Sequence, residues 1–191
     1  MALLLSIIGA SQVFAQRVIA YHQGEKNANI QSWYWDYVTD VNYSFATLNA
    51  GGGVAWGVNG VWDQSKIDNF NAFKSQADIY GVKTHMSVGG ASATQASYFK
   101  NNVSTDAKAE SLANNIVAFA VTNGFSGVDI DWEPESDGHS DSPTAAEWTL
   151  LAKKLREAIT ATGQSLELSA AIFPFKWNND YVCLLYTSPS P

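Results

Sequence analysis

The stretch Ser126-Gly127-Val128-Asp129-Ile130-Asp131-Trp132-Glu133 decides how this chain folds. From Gly127 to Trp132 it reads as a β-strand, and a strand sends alternate side chains to opposite faces. Asp129, Asp131 and Glu133 therefore share one face, with roughly 6.6 Å between successive members, while Val128, Ile130 and Trp132 share the other. A parallel strand buried on both sides is normally apolar on both, and here one whole face is acidic. A solvated edge strand with an acidic face is the plain alternative. The apolar register of Val128, Ile130 and Trp132 argues against it, because something must cover that face. Turned into a barrel, the three carboxylates repel one another, so at least one proton is expected to stay bound near neutral pH and lift a carboxyl into the range of a general acid. Glu133, last on the strand, would lie at the C-terminal mouth where parallel α/β proteins place their chemistry. Asp131 and Asp129 would lie deeper, sharing a proton.

Working outward, a strand-then-helix rhythm recurs. Further β-rich runs fall at Arg17-Val18-Ile19-Ala20-Tyr21, Val41-Asn42-Tyr43-Ser44-Phe45-Ala46, Val82 to Val88 and Leu166 to Ile172. Ala109, Leu112, Ala113, Ile116, Phe119 and Ala120 share one helical face and stop at Gly124. A second helix is predicted from Ser142 as N-cap and Pro143 at the first position, through Trp148, Leu151, Leu155 and Ile159, to Gly163. Gln64 to Tyr80, ended by Gly81, supplies a third, and Ile30 to Val38 a shorter one. Alternation without a hairpin dipeptide predicts parallel strands joined by right-handed crossovers. From the second strand onward the strands start about 40 residues apart, so eight units need on the order of 320 residues, within the range of a (β/α)8 barrel. This chain holds about five such units. The rhythm fits either an open doubly wound sheet complete at this length or a barrel cut after its fifth strand.

Composition narrows the function classes. The 191 residues carry 18 Asp+Glu against 11 Lys+Arg, a formal net charge of -7, which argues against nucleic acid or an anionic membrane surface as partner. With 46% hydrophobic and 15% charged residues, the chain can bury a core. Its 7 Trp, 8 Tyr and 9 Phe suit either core filling or stacking on ring-shaped ligands. A single cysteine, Cys183, excludes an internal disulfide and leaves no CxxC or Cys-His cluster for a structural metal; no metal and no cofactor are expected. Residues 1–15 read as a signal peptide, an apolar run closing on Val13-Phe14-Ala15, which predicts a secreted, extracellular protein starting at Gln16. Residues 180–191 lose the preceding pattern and are expected to be a non-native tail, with no role for Cys183.

Several other positions invite a reading. Gly51 to Gly57 lacks a phosphate-loop lysine and is expected to form a flexible rim, with Trp56 a candidate for stacking on a ring-shaped ligand, a sugar if the resemblance given below holds. Gly89-Gly90 is an ordinary strand-to-helix turn or a place of close approach. His85 reads as a satisfied structural histidine and Trp132 as core. Asn102-Val103-Ser104 is an acceptor sequon in an expected loop, able to carry sugar in a eukaryotic secretory route, whereas Asn42-Tyr43-Ser44 falls in an expected strand and is not.

Residues 126–133 resemble the DGxDxDWE signature of glycoside hydrolase family 18, the chitinases and their relatives, and Met86-Ser87-Val88-Gly89-Gly90 resembles that family's SxGG motif. With Tyr21 and the Asn-Tyr-Ser-Phe-Ala run, the similarity extends in order from about Arg17 to Pro174. The resemblance implies an α/β chain forming an incomplete (β/α)8 TIM barrel, about the first five βα units, with residues 16–179 a partial catalytic domain. It implies Glu133 as general acid, then base. Asp131 would bind the N–H of the substrate's 2-acetamido group, whose carbonyl oxygen is the nucleophile. Asp129 would hold Asp131 and share its proton. Ser87 and Ser126 would support the aspartates, while Tyr21, Phe45, Gly89 and Gly90 would contact the sugar at the cleavage site. The implied substrate is chitin or its N-acetylglucosamine oligosaccharides. Ser126 stands where the signature has its first aspartate, and is expected to hydrogen-bond Asp129 and alter the pH profile. Pro134-Glu135 replaces the usual aromatic-proline pair. The family's sixth-strand tyrosine and eighth-strand tryptophan have no counterparts before Pro191, so the chain alone is expected to be poorly soluble or inactive. A hydrolase of the N-glycan chitobiose core, a non-catalytic chitin-binding lectin, and an unrelated α/β protein with an acidic metal site are the alternatives; Glu133 disfavours the lectin.

Overall fold

The computed structural model describes residues 17–24, 32–57, 63–133 and 141–171. The expected signal peptide, the expected tail with Cys183, and Pro134-Glu135 lie outside the described residues. Along the chain run β1 (Ile19–Gln23), β2 (Asp40–Leu48), β3 (Val54–Trp56), α1 (Gln64–Tyr80), β4 (Lys83–Gly89), α2 (Ala93–Asn102), α3 (Asp106–Thr122), β5 (Gly127–Asp131), α4 (Ala145–Thr162) and β6 (Glu167–Ala170).

The parallel strands pair in the order β1-β2-β4-β5-β6, each new strand joining the same side of the sheet. A doubly wound sheet reverses its strand order at a switch point. No reversal occurs among the described strands, so of the two architectures left open by the rhythm this is the barrel. The departure is β3, which pairs antiparallel with β2 through Ala46↔Trp56 and Leu48↔Val54. Here the expectation of a flexible glycine-rich rim fails. Asn49 Oδ1 accepts from the amides of Gly51 and Gly53, and Asn115 donates to the Gly52 carbonyl, so the segment is a pinned turn. No hairpin dipeptide marks it, because Asn49 and Asn115 supply the bonds that a two-residue turn would make itself.

The two faces of the sheet differ in kind. Outward, Val41, Tyr43, Met86, Val88, Val128 and Ile130 are buried against Phe73 and Ala77 of α1, the stripe Ala109, Leu112, Ala113, Ile116, Ala120 of α3, and Leu151 and Leu155 of α4. Trp132 belongs to this layer, stacked on Phe99 with ring centroids 5.1 Å apart. So does Trp56, wedged among Phe70, Phe119 and Phe125 at 5.3 to 5.9 Å. It is therefore core and not the expected sugar-stacking residue. Inward, Asp40, Asn42 and Ser44 of β2, His85 and Ser87 of β4, and Asp129 and Asp131 of β5 are buried polar groups.

Helix ends follow local chemistry. Gly81 and Gly163 close α1 and α4 at φ +66° and +67°, the left-handed conformation that glycine adopts without penalty. The α4 start lies two residues beyond the predicted Ser142-Pro143. Thr144 is the N-cap, and its hydroxyl and Glu147 form a reciprocal capping box that outcompetes the serine-proline pair. The predicted helix near Ile30 to Val38 is a 3-10 turn, Ser32–Tyr37, and α2 has no counterpart among the predicted helices. Asn102 is the last residue of α2 and only 7% exposed, its amide donating to the carbonyls of Ala50 and Tyr98. Its sequon is thus not in a loop as expected, while Asn42 is buried in β2. No described helix is long and apolar enough to cross a membrane.

Ile116 is fully buried between α3 and the sheet, so Ile116→Ala should remove about 2 to 5 kcal/mol of stability. The check is the shift in urea midpoint at unchanged slope.

Candidate active site

The acid ladder is built on β5. Its register sets Ser87 opposite Asp129 on β4 and Ser169 opposite Asp129 on β6. Asp129, 1% exposed, is the meeting point. Tyr21 and Ser87 donate hydroxyls to its Oδ2 at 2.8 and 2.9 Å, and Ser169 donates to Oδ1 at 2.7 Å. Three donors from three strands thus converge on one carboxylate. Burial, then the charge of Asp129 and the hydrogen bond to it, raise the Tyr21 phenol well above an ordinary tyrosine.

One step toward the mouth, Asp131 is 6% exposed. Burial first, then the charges of Glu133 and Asp129 and a hydrogen bond to Glu133, push its carboxyl from 3.8 up to about 7. The Asp131 carboxyl is hydrogen-bonded upward to Glu133, while the oxygens of Asp129 below it accept three hydroxyls. Asp131 Oδ1 is buried and has no hydrogen-bond partner among the described residues. Glu133 lies two residues past the strand end and is half-buried.

Gly89 and Gly90 have a backbone reason for being glycine. Both take positive φ, +114° and +92°. A Cβ on Gly89 would collide with the carbonyl oxygen of Asp131, and one on Gly90 would come within 3.0 Å of the Phe45 ring. The Gly90 amide donates to that same Asp131 carbonyl at 2.9 Å. The pair lets the end of β4 close against Asp131, and Phe45 packs over it.

Ser126 departs from expectation. It precedes β5 with the parity of Val128, away from the acids, and enters the ladder through its backbone: its amide donates to Thr84 and its carbonyl accepts from Glu167. The hydroxyls that reach Asp129 belong to Tyr21, Ser87 and Ser169. Ser169 was missed by the sequence reading, and Tyr21 was assigned to the sugar and not to Asp129. For Ser169 the available signal was its two-residue offset from Glu167 on a short strand; the register that delivers it to Asp129 is set by pairing, which sequence does not display.

Below the ladder lies an ionic layer. Arg17 donates from Nε and Nη2 to the two oxygens of Asp40 at 2.9 and 2.6 Å, and from Nη2 to Glu167. Lys83 reaches Glu167 at 2.5 Å, and His85 Nε2 bonds Asp40 Oδ1 at 2.8 Å. Burial alone would raise the Asp40 carboxyl, but Arg17, Thr39 and His85 outweigh it and hold it well below the usual range. Asp40, His85 and Glu167 present ligand atoms within 4.8 Å of one another. Arg17 and Lys83 already neutralise both carboxylates, so the layer is an ion network; His85 is held in it through Nε2, but its buried Nδ1 has no hydrogen-bond partner among the described residues, so the histidine expected to be satisfied is satisfied at one nitrogen only.

Parallel strands added in one direction, helices over the outer face, and carboxylates lining the inner face up to the C-terminal mouth define a section of a (β/α) barrel. The chain belongs to the glycosyl hydrolases family 18, whose match covers residues 17–187. Over 108 residues it is 39% identical to Chitinase A1 of Niallia circulans, a stretch covering 53% of this chain and 15% of that protein. A chitinase from Rhizomucor miehei superposes with a TM-score of 0.67 at 22% identity, over 87% of this chain and 50% of that one. A mutant catalytic domain of Ostrinia furnacalis Group II chitinase, solved in complex with penta-N-acetylchitooctaose, superposes at 0.62 with 20% identity, over 82% of this chain and 43% of that one. The chain thus spans half or less of the length of these relatives.

Asp131 carries a sign-definite pH signature. Its folded form binds the proton more tightly than the unfolded chain, so stability from the neutral acid is full below about 4 and declines as pH rises toward about 7. Urea midpoints between about pH 5 and 7 should fall for the natural sequence and fall less for Asp131→Asn. Parallel slopes in the two proteins would exclude the shift.

Proposed function

We propose that this chain is the catalytic portion of a secreted chitinase that cleaves β-1,4-linked N-acetylglucosamine polymers with retention, using the substrate's own acetamido group as nucleophile. The observation that carries the reading is Asp131: a buried carboxyl whose Oδ1 lacks a donor among the described residues, hydrogen-bonded to Glu133 at the mouth of the lumen. An acetamido N–H would supply that donor and turn its carbonyl oxygen toward the anomeric carbon. Glu133 gives its proton to the glycosidic oxygen as the bond to the leaving sugar breaks, then takes one from the water that opens the cyclised intermediate. The positive charge that develops on the sugar faces Asp131 and Asp129, whose orientation is fixed before the substrate arrives. Phe45 over Gly90, and Tyr21 beside Asp129, would form part of the floor beneath the cleaved sugar.

Family membership and the chitinases among the relatives support this substrate class. Secretion rests on the apolar run ending at Ala15. The 191-residue chain by itself is expected to turn over no chitooligosaccharide, because the later-strand groups implied by the family resemblance are not in it.

In the full-length protein, Glu133→Gln should lower the hydrolysis rate of a soluble chitooligosaccharide by about 10²- to 10⁴-fold, the span of general acid-base catalysis, with oligosaccharide binding retained. A wild-type rate in that variant, or equal cleavage of an oligosaccharide lacking the N-acetyl group, would refute the mechanism.

A further inference from the structure

We propose that Arg17 is a positioning residue for the acid ladder: an ionic chord across the base of the lumen, centred on its guanidinium, holds β1 and β6 at the curvature that lets Tyr21 reach Asp129. The proposal rests on the reading of Asp129 as part of the catalytic ladder.

The argument begins with a distance problem. Tyr21 is on β1 and Asp129 on β5, with β2 and β4 between them in the sheet. Neighbouring strands lie about 4.8 Å apart, so three strand spacings in a flat sheet would put β1 roughly 14 Å from β5, beyond the reach of a phenol. The 2.8 Å bond from Tyr21 to Asp129 therefore requires the sheet to bend around the lumen. Ladder hydrogen bonds between neighbours fix register, but they do not fix this bend between strands that are not neighbours.

Arg17 spans that gap. It stands two residues before β1 and bonds Asp40 at the start of β2 and Glu167 at the start of β6, a partner 150 residues away in sequence. Lys83 ties Glu167 to β4, and His85 on β4 returns to Asp40. The chord thus joins β1, β2, β4 and β6. The remaining parallel strand, β5, gives it room: a Cβ on Gly127 would collide with the His85 ring and come within 2.7 Å of the Glu167 carbonyl oxygen. The glycine inside the acid motif is in this view the clearance for the layer beneath it.

The correspondence between the two layers is what makes the chord a positioning device. The three hydroxyls on Asp129 come from β1, β4 and β6. The same three strands carry the chord at their bases: Arg17 leads into Tyr21, His85 into Ser87, and Glu167 into Ser169. Loosening the base would let Tyr21 swing away, because β1 lies at one end of the described strand order and pairs there with β2 alone.

The experiment uses the full-length protein without substrate, and its readouts are conformational, so its outcome is independent of whether the protein hydrolyses chitin. Spin labels on Gln23→Cys and Gln164→Cys, in a background cleared of other reactive cysteines, report the separation of β1 from the start of β6. Tyrosine labelled with 13C at Cζ, with Tyr21 assigned by Tyr21→Phe, reports the phenol's hydrogen bond. Arg17→Ala should lengthen and broaden the label distance and move the Tyr21 resonance toward that of a solvent-exposed tyrosine; Arg17→Lys should restore part of both. Glu167→Gln should act in the same direction, as should about 1 M salt, which cuts the screening length to about 3 Å. If Arg17→Ala does not fold, Glu167→Gln and the salt titration decide. An unmoved Tyr21 resonance with an unchanged distance in those conditions would overturn the proposal, whatever happens to thermal stability.

Discussion

Asp129 accepts hydroxyls from three strands, one of which is three places away in the sheet, and much of the structure can be derived from what that requires. A buried carboxylate is tolerable only when its lone pairs are occupied. Here the occupants are a phenol and two serines, all neutral, so no cation pairs with the carboxylate. A cation in their place would have cancelled the field that Asp131 and Glu133 experience. The next acid up the strand, Asp131, is desolvated first of all by burial, and it meets the charge of Glu133 above it and of Asp129 below. The elevated Asp131 is thus a consequence first of its own burial and then of the acids placed above and below it.

Space is the second constraint. Three glycines sit where a methyl group would strike something needed: Gly89 against the Asp131 carbonyl, Gly90 against Phe45, Gly127 against His85 and Glu167. Each lies at the contact between β4 or β5 and a group that lines or underlies the ladder. Charge is segregated to match. Cations enter the lumen at its base through Arg17 and Lys83, and the upper storey is left to carboxylates and hydroxyls.

Much of this was legible in the sequence, for identifiable reasons. Period-two alternation in Val128 to Trp132 and the i, i+3, i+4 stripe of α3 are local signals, and both give the faces observed. Gly81 and Gly163 terminate helices by backbone preference alone. What stayed hidden depends on pairing. Ser169 is an ordinary serine until register sets it beside Asp129, and Arg17 is an ordinary surface-type residue until β6 returns beneath it. Trp56 misleads for a related reason: an aromatic beside glycines looks exposed, and only the antiparallel turn back along β2 carries it under α1 and α3. Ser126 misleads because the family signature names a residue type at that position, whereas strand parity turns the side chain away from the acids.

The buried end of α2 bears on how the protein can be made. Oligosaccharide transfer acts on nascent, unfolded chain, and the Asn102-Val103-Ser104 triplet is chemically competent at that moment. A glycan attached there would occupy the amide that later bonds Ala50 and Tyr98, and it would have to be accommodated where the helix seats against the β2–β3 turn. Expression hosts that glycosylate during translocation therefore set modification in competition with docking of this helix, whereas hosts lacking that machinery remove the competition altogether.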